Sequence, residues 1–160
     1  MKQFFWMVLV LAAGMLAGCV NPGSIMPNTA ADDLVKKLGK PTDTRRNAQG
    51  GESWDYVNGP EGVTTWRYVI DNNRTVRSVE QLVTHERLYK VVPGETNEAG
   101  VIELLGRPGM VTKYSHEVAW EWRANLSPNN GYFIVRFGHD GIARGVGVLT
   151  DLIMDSASPN

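Results

Sequence analysis

"LVKKLGKP" occupies residues 34–41 and "VIELLGRP" occupies residues 101–108. Both read apolar, apolar, two variable residues, Leu, Gly, a basic residue, Pro. A short apolar stripe closed by Gly and Pro is a helix stop. Glycine enters positive-φ backbone conformations that cost other residues energy, and proline cannot donate the next helical N–H. The flanks repeat as well. "SWDYV" (53–57) and "AWEWR" (119–123) each follow their proline by about a dozen residues, so Trp54 matches Trp120, Asp55 matches Glu121 and Tyr56 matches Trp122. "WRYVIDNNRTVRSV" (66–79) then matches "FIVRFGHDGIARGV" (133–146), with Ile70 over Phe137 and Arg77-x-Val79 over Arg144-x-Val146. A small unit used twice is the reading that follows.

Each unit divides into one helix and a set of strands. In the first, Thr29 and Asp32 form a capping-box signature, Leu34, Val35 and Leu38 make the stripe, and Gly39 and Pro41 end it. In the second, Pro93-Gly94-Glu95-Thr96 leads in, Val101, Ile102 and Leu105 form the stripe, and Gly106 and Pro108 end it. Period-two alternation follows: Trp54 and Tyr56; Trp66, Tyr68 and Ile70; Trp120 and Trp122; Phe133, Val135 and Phe137. Asn72-Asn73, tolerant of positive φ, and Gly138-His139-Asp140-Gly141 read as hairpin turns into the strands 75–83 and 142–149. The expected fold is α+β: two tandem αβββ repeats, residues 29–90 and 91–155, with short helices packed on antiparallel sheets. Residues 19–28 read as a linker and 156–160 as a tail.

The N-terminus carries a different signal. Lys2 precedes an uncharged apolar run from Phe4 to Met15, of signal-peptide length and too short for a comfortable membrane span. Small residues Ala17 and Gly18 then precede Cys19, the one cysteine in the chain. Leu16-Ala17-Gly18-Cys19 resembles the lipobox of bacterial lipoproteins. The resemblance implies removal of residues 1–18, a diacylglycerol thioether on the Cys19 sulfur and an acyl group on its new amine. Two or three chains give firm anchoring where one gives only marginal binding. Val20, in place of the aspartate that retains such proteins in the inner membrane, implies the outer membrane, periplasmic face. A single cysteine forms no disulfide within one chain and no cysteine-based metal site.

The repeated motifs carry a second resemblance. "VVPGETNEAGVIELLGRP" followed by "VAWEWR" resembles the SmpA/OmlA/BamE lipoproteins, small outer-membrane lipoproteins with a helix-plus-sheet domain. The resemblance implies an accessory or scaffold role in assembly of β-barrel proteins, with barrel-assembly subunits as partners. Used in tandem, the unit is similar to the β-lactamase-inhibitor protein. That implies the alternative, a periplasmic module that binds or inhibits a protein over a sheet surface.

Composition and motifs argue against other classes. Formal net charge is −1, with no clustered basic run of the kind a nucleic-acid binder shows. His85, His116 and His139 share no ligand-like spacing, so neither a metal site nor a cofactor is expected. There is no Gly-x-Ser-x-Gly elbow, "GIARGVG" opens a strand and not a helix, and Asp32-Asp33 suits a helix start. A non-enzyme is the expectation. The aromatics Trp54, Tyr56, Trp66, Tyr68, Trp120, Trp122 and Tyr132 read as core, because their phase matches the apolar positions, with a ligand-binding sheet face as the alternative. Asp55, Arg67, Glu121, Arg123 and Arg136 read as a solvated face with cross-strand ion pairs, or a polar partner surface.

Cys19→Ser is expected to leave unprocessed or unanchored protein. Membrane fractionation and mass spectrometry of the N-terminal peptide check this, and an unmodified Cys19 in native material would contradict it.

Overall fold

Both helix stops close the way their sequences require. The computed structural model describes residues 22–58 and 62–151; Cys19, the signal segment 1–18 and the tail 156–160 lie outside them. Helix α1 (Ala31–Leu38) ends at Gly39 with φ 80°, and α3 (Glu98–Leu105) ends at Gly106 with φ 77°. Each glycine N–H donates back to a helix carbonyl, Val35 O at 2.8 Å and Ile102 O at 2.9 Å. Eight-residue helices are marginal alone and hold by packing. Ala31, Leu34, Val101 and Leu105 are fully buried against the sheets.

The strands are β1 (Asp43–Arg46), β2 (Glu52–Asn58), β3 (Thr64–Ile70), β4 (Val76–Gln81), β5 (Met110–Lys113), β6 (Val118–Asn125), β7 (Asn130–Phe137) and β8 (Ala143–Thr150). They form two four-stranded antiparallel meanders, β1-β2-β3-β4 and β5-β6-β7-β8. The α+β tandem stands, but each unit has one strand more than the sequence led us to expect. The extra edge strands β1 ("DTRR") and β5 ("MVTK") show no apolar alternation. Their pairing with β2 and β6 places them.

Local chemistry departs from expectation at three further points. Thr29 and Asp32 make no capping box: Ala30 is the N-cap, and Thr29 Oγ1 donates instead to Met26 O at 2.7 Å. In the hairpin after β3, positive φ falls on Arg74 (59°), not on Asn72 or Asn73, because the Asp71 carboxylate accepts from the N–H groups of Asn73 and Thr75 and fixes the turn ahead of it. A one-turn helix α2 (His85–Leu88) follows Thr84, whose hydroxyl accepts from the Arg87 N–H. Leu88, with Val83 and Val91, joins the second core, and Ile25, in the stretch read as a linker, joins the first.

The aromatics mostly fill these cores. Trp54, Tyr56, Tyr68, Trp120 and Trp122 are buried, while Trp66 is half-buried. Tyr56 and Trp122, matched across the repeat, act alike. The Tyr56 hydroxyl donates to Gly39 O at 3.0 Å, and Trp122 Nε1 donates to Gly106 O at 3.1 Å. Each satisfies a carbonyl at its helix stop. Tyr132 departs from the reading as core. It stands opposite Arg123 in the ladder, on the other face from Trp120 and Trp122.

This packing has measurable consequences. An added Cβ at Gly39 meets nothing within 4 Å, whereas at Gly106 it meets Leu82 Cδ1 and Thr65 Cγ2 at 3.3 Å and Asp55 Oδ2 at 3.4 Å. Gly39→Ala should cost about 1–3 kcal/mol from backbone strain alone, and Gly106→Ala more, measured by urea unfolding; equal costs would contradict the packing. Burial pushes the Tyr56 and Tyr68 hydroxyls up to about 12. The unfolded chain ionises them near pH ~10, so stability is intact below that and falls as pH rises toward the folded-state values. Tyrosinate absorbance and circular dichroism should show these two ionising only with unfolding.

Candidate protein-binding surface

Each sheet has one face under its helix and one facing away. On the first sheet the ladder aligns Asp43, Asp55, Arg67 and Glu80 across the outward face. The sequence suggests a solvated face here. The structure buries its centre: Asp55 is 2% exposed and Arg67 3%. Arg67 Nε donates to Asp55 Oδ1 at 2.7 Å and Arg67 NH2 to Asp55 Oδ2 at 2.9 Å, a two-pronged pair. Arg45 NH2 adds a third donor to Asp55 Oδ2 at 2.9 Å.

What covers this face is the second repeat. Arg67 NH1 donates to Glu103 O at 2.5 Å and Arg67 NH2 to Ile102 O at 3.1 Å, while Arg87 NH1 donates to Leu104 O at 3.2 Å. These carbonyls belong to the last turn of α3, where helical partners run out and the dipole favours cations. Arg87 also pairs with Glu80, and Arg107 Nε donates to Asp43 Oδ1 at 2.8 Å. The end of α3 is thus seated on the first sheet by arginines from both repeats.

The second sheet presents the matching face with nothing described upon it. Its corresponding row is Met110, Glu121, Ile134 and Gly147. Three of the four charged positions have become apolar or bare. Beside it runs Arg123, Tyr132 and Leu149, and on the other side Thr112, Ala119, Arg136 and Gly145. Met110 is 48% exposed and Leu149 57%. Glu121 is the one charge within this row, and further charged groups rim it. Arg123 lies 4.7 Å over the Tyr132 ring and donates to both oxygens of Asp151, at 2.9 and 2.5 Å. That hydrogen bond holds the Asp151 carboxyl below its usual range. Arg136 Nε lies 4.0 Å from Glu117.

A shallow depression lined by Gly109, Met110, Glu121, Arg123, Tyr132 and Asp151 sits on this face. It shares Gly109 and Arg123 with a crevice between the repeats that also exposes Val57, Arg107 and Pro108. The two make one continuous surface. Tyr132, Arg123, Glu121 and Arg136 were visible in the sequence as polar or aromatic candidates. Met110, Ile134 and Leu149 were not, although aligning Ile134 with Arg67 across the repeat carries the signal.

The histidines do not converge. His85 stacks on Tyr89 (centroids 6.2 Å apart), His139 Nε2 contacts Ser115 O at 3.0 Å, and His116 is exposed. Among the described residues no group of three or more His, Cys, Asp or Glu is placed to hold a metal. Asp32 and Asp33 are taken up in exposed pairs with Arg74 and Lys36.

No protein-family model matches the chain, and no curated protein is similar to it in sequence. Two solved structures are distantly similar. A candidate β-lactamase inhibitor protein from Streptococcus mutans is 16% identical, with 89% of this chain and 95% of that one covered and a TM-score of 0.33. A DUF4309 family protein from Bacillus subtilis is 15% identical, with 77% and 79% covered and a TM-score of 0.27.

The Asp55–Arg67 pair supplies a test of how the first face is occupied. Asp55→Ala takes from Arg67 its buried, two-pronged partner and leaves it the exposed Glu103 carboxylate, 3.1 Å from NH1, so it should cost about 3–5 kcal/mol in urea unfolding. Adding Arg67→Met to that variant should recover part of the loss, because the buried guanidinium that has lost its buried partner is gone. Strict additivity of the two substitutions would contradict the buried pair.

Proposed function

We propose that this chain is a non-catalytic, lipid-anchored protein-binding module of the outer membrane, and that it holds a partner protein from the periplasm against the open face of the second sheet. One observation carries the reading. The first sheet's outward face is charged and filled by α3, while the matching face of the second sheet keeps one charge, Glu121, in a row otherwise apolar or bare, is charged at its rim and is uncovered among the described residues. An apolar centre with a polar rim is the anatomy of a protein interface. Four strands of up to eight residues span on the order of 500 Å², short of the ~800 Å² per partner that a stable complex buries. The adjoining crevice at Val57, Arg107 and Pro108 extends the surface toward that size.

The partner class follows from the anchor. Only Val20 and Asn21 separate Cys19 from Pro22, whose carbonyl accepts a hydrogen bond from the Tyr68 hydroxyl. A chain that short reaches at most about 11 Å. Acylation at Cys19 would therefore keep the fold near the bilayer surface, which favours a membrane-associated partner. Together with the resemblance to SmpA/OmlA/BamE lipoproteins, this supports accessory work with barrel-assembly subunits. Capture or inhibition of a soluble periplasmic enzyme over the same face is the second reading, and the open face itself favours it equally.

Crosslinked pull-down from outer membranes decides between them. Barrel-assembly subunits in the eluate support the first reading, and a single soluble enzyme supports the second. Ile134→Arg should lower recovery of the partner about tenfold or more, as loss of a central apolar contact does. Unchanged recovery would reject this face, and a reproducible turnover lost on changing one histidine would reject the non-catalytic assignment.

A further inference from the structure

The two sheets have four edges, and they are not protected alike. β1 and β5 are four residues long and carry Asp43, Arg45, Arg46 and Lys113. β4 carries Arg77 and Glu80. β8 is eight residues long, and from Gly145 to Thr150 it holds no charge and no proline. Long, uncharged edges are templates for further pairing, which is why proteins ordinarily shorten, charge or kink them.

The ladder shows which backbone groups face outward. Asp151 N donates to Asn130 O at 2.9 Å, which makes that pair hydrogen-bonded. Alternation then makes Tyr132–Leu149 and Ile134–Gly147 hydrogen-bonded pairs, and turns the N–H and C=O groups of Val146, Val148 and Thr150 away from β7. At the start of the strand the same edge is covered: Gly94 N donates to Ala143 O and Ala143 N donates to Thr96 O, both at 2.8 Å. Beyond Arg144, no backbone partner for these outward groups occurs among the described residues.

We propose that β8 pairs with β8 of a second copy, antiparallel about a two-fold axis at Val148. The register is self-complementary. Val148 meets its own symmetry mate, Val146 meets Thr150 in both directions, and the outward groups form six inter-chain hydrogen bonds. β-Branched residues directly opposite one another stabilise such a pair, and no like charges face each other. On the open face Leu149, 57% exposed, stands opposite Gly147 of the second copy. An added Cβ at Gly147 meets nothing within 4 Å, so that space is free to receive the leucine. The product is one eight-stranded sheet whose two open faces are contiguous, on the order of 1,000 Å², enough for a stable partner interface. A single strand pair is itself a small contact, so the dimer is reversible and dissociates on dilution.

The test uses the detergent-purified chain. Sedimentation should show a monomer–dimer equilibrium that Val148→Pro abolishes; this proline removes an outward N–H and no bond to β7. Val148→Lys, which sets two ammonium groups against each other, should do the same by a different route. Under mild oxidation Val148→Cys should form a disulfide-linked dimer, since hydrogen-bonded antiparallel partners stand about 5.5 Å apart at Cα, within disulfide reach. Val146→Cys should not, because its partner is Thr150, and the unsubstituted chain, whose Cys19 sulfur offers a thiol only where it is not acylated, supplies the background. A monomer at every concentration reached, a dimer indifferent to both Val148→Pro and Val148→Lys, or equal crosslinking from Val146→Cys and Val148→Cys would each overturn the proposal.

Discussion

The arrangement depends on one buried guanidinium. Arg67 leaves water with its charge because Asp55 grips it from within the first sheet, the last carbonyls of α3 receive its remaining donors, and the Glu103 carboxylate stands 3.1 Å from NH1. An ion pair this deep is weak evidence for net stability, because desolvation takes back most of the Coulomb gain. Its effect is on arrangement. The donors of Arg67 are satisfied when the end of α3 lies across β2 and β3, so the pair fixes how the second repeat meets the first. Gly106 completes the fit, since its bare Cα lets the chain pass close to Asp55.

That contact also explains why two similar units differ on their outward faces. A face that receives a helix end needs cations for its carbonyls and an anion to hold the cations. The first sheet has them in Arg67, Arg87 and Asp55. The second sheet receives no helix end from the described residues. Where the first has Asp43, Arg67 and Glu80, it has Met110, Ile134 and Gly147. The two repeats therefore share a skeleton and differ in surface, and the surface that differs is the one we propose for a partner.

The skeleton was readable because it rests on local rules. Leu-Gly-x-Pro closes a helix wherever it occurs, and the alternation around Trp54 and Trp120 fixes which side chains go inward. The short strands β1 and β5 were not readable, since "DTRR" has no apolar phase and only its neighbour makes it a strand. The burial of Asp55 and Arg67 was hidden for a related reason. Their alternation placed them correctly on the outward face, but what lies on that face comes from residues 35 or more positions further on. Of the candidate surface, the charged and aromatic rim was legible residue by residue. The apolar centre needed the cross-strand alignment of Ile134 with Arg67.

The central claim is that the second sheet's open face holds a partner protein in the envelope. Site-specific photo-crosslinking in intact cells tests it most directly, with the probe placed at Ile134 and, separately, at Lys36, which is exposed on α1 in the first repeat. The expected result is a discrete adduct to one envelope protein from the probe at Ile134 and none from the probe at Lys36. An adduct from Lys36 with none from Ile134 would contradict the claim.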